Sequence, residues 1–197
     1  MTNFGCLLLC AEEEVANVAT GVLLYPLFSE YELTVALSVL KQGNHPITTI
    51  GITDRPIQGE SDLTCVADKT IYNVDASTID SLLLPGCMDI STLFENADVI
   101  RFLQKFTEKD LVIASISSSP YLLAKAGLLK GKRYTIGMLP EHRAQTGVFD
   151  EELYSEELVV QDGNLLTARG RGFIEFGLRL GDMLKLTYDP RWYASDS

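Results

Sequence analysis

The feature that most constrains this chain is a repeated alternation between two periods. Short apolar runs of strand character are each followed by a segment with helical spacing. GVLLYPLF at 21–28 precedes Leu33, Ala36, Leu37 and Leu40, spaced i, i+3, i+4 and i+7 along one helical face. Ser29 reads as the N-cap of that helix, and Gly43-Asn44 as its stop. PITTIGIT at 46–53 is β-branched and reads as a second strand. DSLLLP at 80–85 is a third, followed by a helical face of Val99, Phe102, Leu103 and Phe106. Leu111 to Ser115 is a fourth, and the helix after Ser117 runs to about Ala126. Between the second and third strands, residues 54–75 read as a small edge hairpin around Cys65 and Ile71. Arg133 to Met138 reads as a further strand. Leu158 to Gln161 and Leu165 to Ala168 flank Asp162-Gly163-Asn164, a hairpin signal. A last helix carries Phe173, Phe176, Leu180 and Leu184 on one side.

Strands alternating with helices predict a mostly parallel sheet covered on both faces, a three-layer α/β sandwich. In such sheets ligands bind beyond the carboxyl ends of the strands, near the point where strand order reverses. The residues that matter are therefore those just after each strand: Ser29–Glu32, Gly86–Asp89, Ser117–Ser119, Gly137 and Arg169–Gly172.

The 197 residues suit one domain, expected over 18–187 between an N-terminal extension at 1–17 and a tail at 188–197. The extension contains FGCLLLC at 4–10, followed by Glu12, Glu13 and Glu14. It lacks the basic region and small-residue cleavage site of a secretory signal. It is also far short of the roughly 20 residues that span a bilayer. It reads as an extension that is either disordered or packed on the domain, with no membrane partner expected. The formal net charge of −11 repels phosphate backbones, so nucleic acid is not an expected partner either. RGRG at 169–172 reads as a tight turn into the last helix, not as part of an RNA-binding tract. The four cysteines, Cys6, Cys10, Cys65 and Cys87, lack CxxC spacing, and the chain has only two histidines. No metal or cofactor is expected from that inventory, and scattered thiols fit a reducing, cytoplasmic setting.

Four stretches carry a resemblance: LLLPGC at 82–87, SISSSP at 115–120, GLLKGKRYTIG at 127–137 and DGNLLTARGRGFIEF at 162–176. Their order and spacing resemble the ThiJ/PfpI family over roughly residues 19–186. The resemblance implies a flavodoxin-like α/β sandwich of the class I glutamine amidotransferase-like kind, usually a homodimer. It also implies a nucleophilic cysteine at a strand-to-helix elbow, a glutamate at the start of the first helix, and often a histidine on a later strand. Carried onto this chain, the glutamate falls on Glu32, the elbow on Ser117 and the histidine position near Gly137. The loop after the third strand carries Cys87, where the family more often has glycine.

Those residue types change the chemistry. A thiol of pKa near 8.5 ionises readily at a helix N-terminus. A serine hydroxyl does not, and needs a base within hydrogen-bond reach. Losing a base commonly costs about 10²- to 10⁴-fold. The resulting expectation is a family-like protein without standard cysteine-dependent catalysis that binds a small anionic ligand at Gly86, Ser118, Ser119 and Gly137. The alternative is a hydrolase or amidotransferase-like enzyme using Ser117 or Cys87 as nucleophile with Glu32. His142 is the one displaced base available to Ser117; its other reading is a surface histidine.

Overall fold

The computed structural model describes residues 18–193, so the expected extension at 1–17, with Cys6 and Cys10, lies outside the described residues. β1 (Ala19–Leu24) is buried at every position, as a strand covered on both faces must be. It ends earlier than its apolar run suggests. Pro26 has no N–H for a ladder, and Leu27 takes a positive φ of 60°, so Tyr25–Phe28 folds into a turn closed by the Phe28 N–H on the Tyr25 carbonyl. α1 (Glu30–Gln42) follows, with Leu33, Val35, Ala36, Val39 and Leu40 turned inward. Ser29 stands at its N-cap, but its hydroxyl bonds Glu60 Oε1 at 2.7 Å instead of a helix N–H.

β2 (Ile47–Gly51) pairs parallel to β1. The 54–75 region splits in two. β3 (Ile57–Gln58) and β4 (Thr64–Cys65) form the expected hairpin as a separate antiparallel pair, while β5 (Lys69–Thr70) joins the edge of the main sheet beside β2. β6 (Ile79–Leu84) returns to the other side of β1. α2 (Ala97–Gln104) is capped by the Asn96 side chain on the Val99 N–H and buries Val99, Phe102 and Leu103. β7 (Val112–Ile116) leads through Ser117–Ser119 into α3 (Pro120–Ala126), with proline in its first turn and Gly127 at φ 83° as its stop. α4 (Pro140–Thr146) is next. β8 (Val159–Asp162) and β9 (Leu165–Ala168) pair antiparallel, and Gly163 at φ 60° supplies the turn the two-residue loop needs. α5 (Phe173–Met183) buries Phe176, Gly177 and Leu180.

The sheet order is β5-β2-β1-β6-β7-β9-β8, parallel except for β8. With helices on it, this is the expected flavodoxin-like α/β sandwich. The strand expected at Arg133–Met138 is absent. Both edges of β9 are already taken by β7 and β8, so the segment does not pair with β9. Its polar groups find assorted partners instead: a single bridge between Tyr134 and Tyr154, the Thr135 N–H on Thr167 Oγ1 at 2.9 Å, and the Gly137 N–H on the Ser117 carbonyl at 2.7 Å. The expected tail is tied down where it is described, since the Tyr193 hydroxyl donates to Ser38 Oγ at 2.6 Å and accepts from Gln42 Nε2 at 2.6 Å.

Candidate functional site

The chain leaves β1 toward β2 and β5 on one side, then crosses to β6 on the other, so strand order reverses between β1 and β6. That reversal opens a crevice at the carboxyl ends of the strands. Glu32, in the first turn of α1 after β1, is 2% exposed and reaches across this gap. Its Oε2 accepts the Gly86 N–H, just beyond β6, at 2.7 Å. Its Oε1 accepts the Tyr31 hydroxyl at 3.2 Å. Burial pushes the Glu32 carboxyl above its ordinary range, and hydrogen bonds from Gly86, Ser117 and Tyr31 pull it partly back.

Ser117 follows β7 with φ at 62°, a left-handed conformation that β-carbon sterics disfavour. Its backbone is fixed on both sides, the N–H on the Ala168 carbonyl and the carbonyl under the Gly137 N–H, each at 2.7 Å. Three glycines make room for it. A β-carbon on Gly86 would lie 2.5 Å from Ser117 Cβ and 2.6 Å from Glu32 Oε2. One on Gly170 would lie 2.6 Å from Glu32 Oε1, and one on Gly137 would lie 3.2 Å from Ser117 Cα. Elements separated by over a hundred residues thus bring Glu32, Gly86, Ser117 and Gly137 to one point.

The other candidates are placed differently. Ser119 is fully buried, and its hydroxyl sits among Ser115 Oγ at 2.7 Å, the Ile116 carbonyl at 2.7 Å, the Leu84 carbonyl at 2.9 Å and the Ile116 N–H at 3.1 Å. These contacts tie the turn to the ends of β6 and β7. Ser118 Oγ accepts the Cys87 N–H at 3.3 Å and so holds the loop after β6. Cys87 is buried, and burial raises its thiol to about 11, away from the thiolate form a nucleophile needs. His142 is exposed on α4 and lines a groove with Asp89, Phe94 and Tyr121. RGRG forms the tight 3₁₀ turn Gly170–Gly172 into α5.

Sequence reasoning flagged Gly137 and Arg169 separately, each after a strand, but not the cluster they form with Arg143, Tyr154 and Glu156. A cavity of about 310 Å³ is lined by Gly137, Met138, Arg143, Tyr154, Glu156 and Arg169, among others. Its arginines lie 26 positions apart in the sequence, and only the path of the chain brings them together. Tyr31 lies within the Ser29–Glu32 stretch flagged from sequence, but its hydroxyl contact to Glu32 had no assigned role. Among the described residues, no group of three histidine, cysteine or acidic side chains is placed to hold a metal ion, and no helix is long and apolar enough to cross a membrane.

The Glu32 carboxyl gives a pH test. Its native pKa lies above its unfolded value, so the folded state holds the proton more tightly. The stability it contributes is complete below the unfolded value, about 4.3, and declines as pH rises toward the native value. Compared with the non-titrating Glu32→Gln, the parent protein should therefore be relatively most stable near pH 4 and lose ground toward neutrality. Urea unfolding of both proteins across that range measures it. A constant difference would mean that Glu32 is not perturbed.

A family model described as the DJ-1/PfpI family matches residues 20–182. The chain is 31% identical to the protein DJ-1alpha of Drosophila melanogaster over 182 residues, covering 89% of this chain and 78% of that one. It is 28% identical over 154 residues to an Escherichia coli protein named protein/nucleic acid deglycase 2, covering 76% and 87%. Among solved structures, a DJ-1 superfamily protein of Salmonella typhimurium superposes with a TM-score of 0.74 at 30% identity, covering 85% of this chain and 90% of that one. A two-domain protein of Anabaena variabilis, with DJ-1/ThiJ/PfpI-like and ferritin-like domains, superposes with a TM-score of 0.77 at 24% identity; 91% of this chain is covered, and it spans 52% of that one.

Proposed function

Because the chain belongs to the DJ-1/PfpI family, we propose that it is a member without cysteine chemistry at the elbow, which binds a small anionic ligand beside Glu32 and Ser117. The observation that carries this reading is the elbow itself. A hydroxyl stands there at φ 62°, facing a buried carboxylate, with a bare glycine at the position where the family resemblance implies a histidine. A hydroxyl so placed donates or accepts hydrogen bonds well but ionises poorly. The thiol of Cys87, raised to about 11, supports the same reading. The cytoplasmic homodimer implied by the resemblance and the cysteine content belongs to the same proposal.

A second reading, a Ser117 hydrolase with Glu32 as base, is favoured by one observation. Backbone strain of this kind clusters at catalytic positions, and a carboxyl raised by burial is a better base than an ordinary one. The E. coli relative's name would fit an enzyme as well.

Labelling by a fluorophosphonate and by iodoacetamide, mapped by mass spectrometry, separates the two readings. Expected is no fluorophosphonate adduct on Ser117 above a denatured control, and slower alkylation of Cys87 than of a small model thiol. A fluorophosphonate adduct that disappears in Ser117→Ala would replace the first reading with the second. Fast alkylation that disappears in Cys87→Ser would make Cys87 the nucleophile.

A further inference from the structure

The cavity beside Gly137 contains two guanidinium groups with unlike fates. Arg143 is 4% exposed and fully committed. Glu151 grips it in two-pronged fashion, Nε to Oε1 at 3.0 Å and Nη2 to Oε2 at 2.8 Å, while Nη1 donates to the Met138 carbonyl at 3.2 Å. Its plane lies 3.6 Å from the centre of the Tyr154 ring. Arg143 therefore braces the wall.

Arg169 is held far more loosely. It follows β9 and immediately precedes Gly170, the residue that abuts Glu32 and Ser117. Its Nε makes a long contact to Thr135 Oγ1 at 3.4 Å, and its Nη2 donates to the Tyr154 hydroxyl and to one oxygen of Glu156, the latter at 2.7 Å. The Arg169 side chain is 23% exposed, whereas Glu156 is 83% exposed. A single-contact ion pair with one partner in solvent is weak. A guanidinium prefers a two-pronged carboxylate, and Glu156 does not supply one.

We infer that Arg169 is the carboxylate seat of this site, that Glu156 occupies it as a built-in competitor, and that the ligand is a short carboxylic acid whose acid group displaces Glu156 while its other end lies toward Gly137 and Ser117. This inference rests on the small-anion reading above and gives it a ligand class. The cavity volume of about 310 Å³ sits at the small end of ligand pockets, which suits an acid of a few carbons. Gly137 forms the shared wall, since it contacts Ser117 on one side and lines the cavity on the other.

The test is a titration by ligand-observed NMR and calorimetry with propionate, pyruvate and inorganic phosphate, and with propionamide as the uncharged control. Propionate or pyruvate should bind saturably and propionamide should not. Glu156→Gln, at an exposed position where folding is not at risk, should tighten carboxylate binding by up to about five-fold, the worth of the competing pair. Arg169→Gln should weaken it by about ten-fold or more, with Arg169→Lys in between. Phosphate binding as tight as that of the carboxylates would overturn the stated ligand class. Carboxylate binding unchanged by Arg169→Gln and by Glu156→Gln, yet lost in Ser117→Ala, would overturn the Arg169 seat and leave the elbow reading standing. No saturable binding to the parent protein or to Glu156→Gln would remove both.

Discussion

Gly177→Ala should lower stability by about 2 kcal/mol and the melting temperature by roughly 4–8 °C. Two effects of opposite sign act here. Alanine in a helix interior is favoured over glycine by up to about 1 kcal/mol. Against that, α5 lies directly on α1 at this point. A β-carbon on Gly177 would lie 2.7 Å from the backbone nitrogen of Ala36, 2.7 Å from Val35 Cγ1 and 2.9 Å from the Val35 carbonyl carbon. Two of those three atoms are backbone and cannot swing aside, so the helices must separate. Overpacking of this kind costs about 1–3 kcal/mol, occasionally more, and outweighs the propensity gain. Because α1 begins at Glu30 and carries Glu32, the same variant should disturb the site. Thermal unfolding followed by circular dichroism measures the effect, and a raised melting temperature would mean that α1 and α5 are not in this close contact.

Ser117→Cys should create a thiol that iodoacetamide alkylates about 20-fold faster at pH 7 than Cys87. An elbow thiol near 8.5 is about 3% ionised at that pH. Cys87, raised to about 11, is about 0.01% ionised. The roughly 300-fold difference in thiolate is reduced some 13-fold because nucleophilicity falls with pKa. Site-resolved mass spectrometry separates the two rates. Equal rates would mean that the elbow does not present its side chain to solvent.

What was legible in the sequence was local. The hairpin of β8 and β9 follows from Gly163 between two apolar runs, and α3 from Pro120 after a buried strand. Glu32 was singled out by the family resemblance, which places a glutamate at the start of the first helix. The error at Arg133–Met138 has a physical source. Tyr134, Thr135 and Ile136 are buried and strand-like in composition, but a strand needs a ladder partner, and β9 beside them is already paired on both edges by β7 and β8. The pKa of Cys87 likewise depends on how much of the molecule closes over it. In the cavity of Arg143, Tyr154 and Arg169, only Arg169 has a local signature, its place just after a strand.

Ser119 carries a consequence of a different kind. Its hydroxyl ties the end of β6 to the end of β7 through the Leu84 carbonyl and Ser115. The backbone of residue 117 is meanwhile held by Ala168 and Gly137 through main-chain bonds that ignore its side chain. The shape of the turn is therefore inherited separately from the group it displays. The side chain at residue 117 can be exchanged for another of similar size without breaking any bond that shapes the turn.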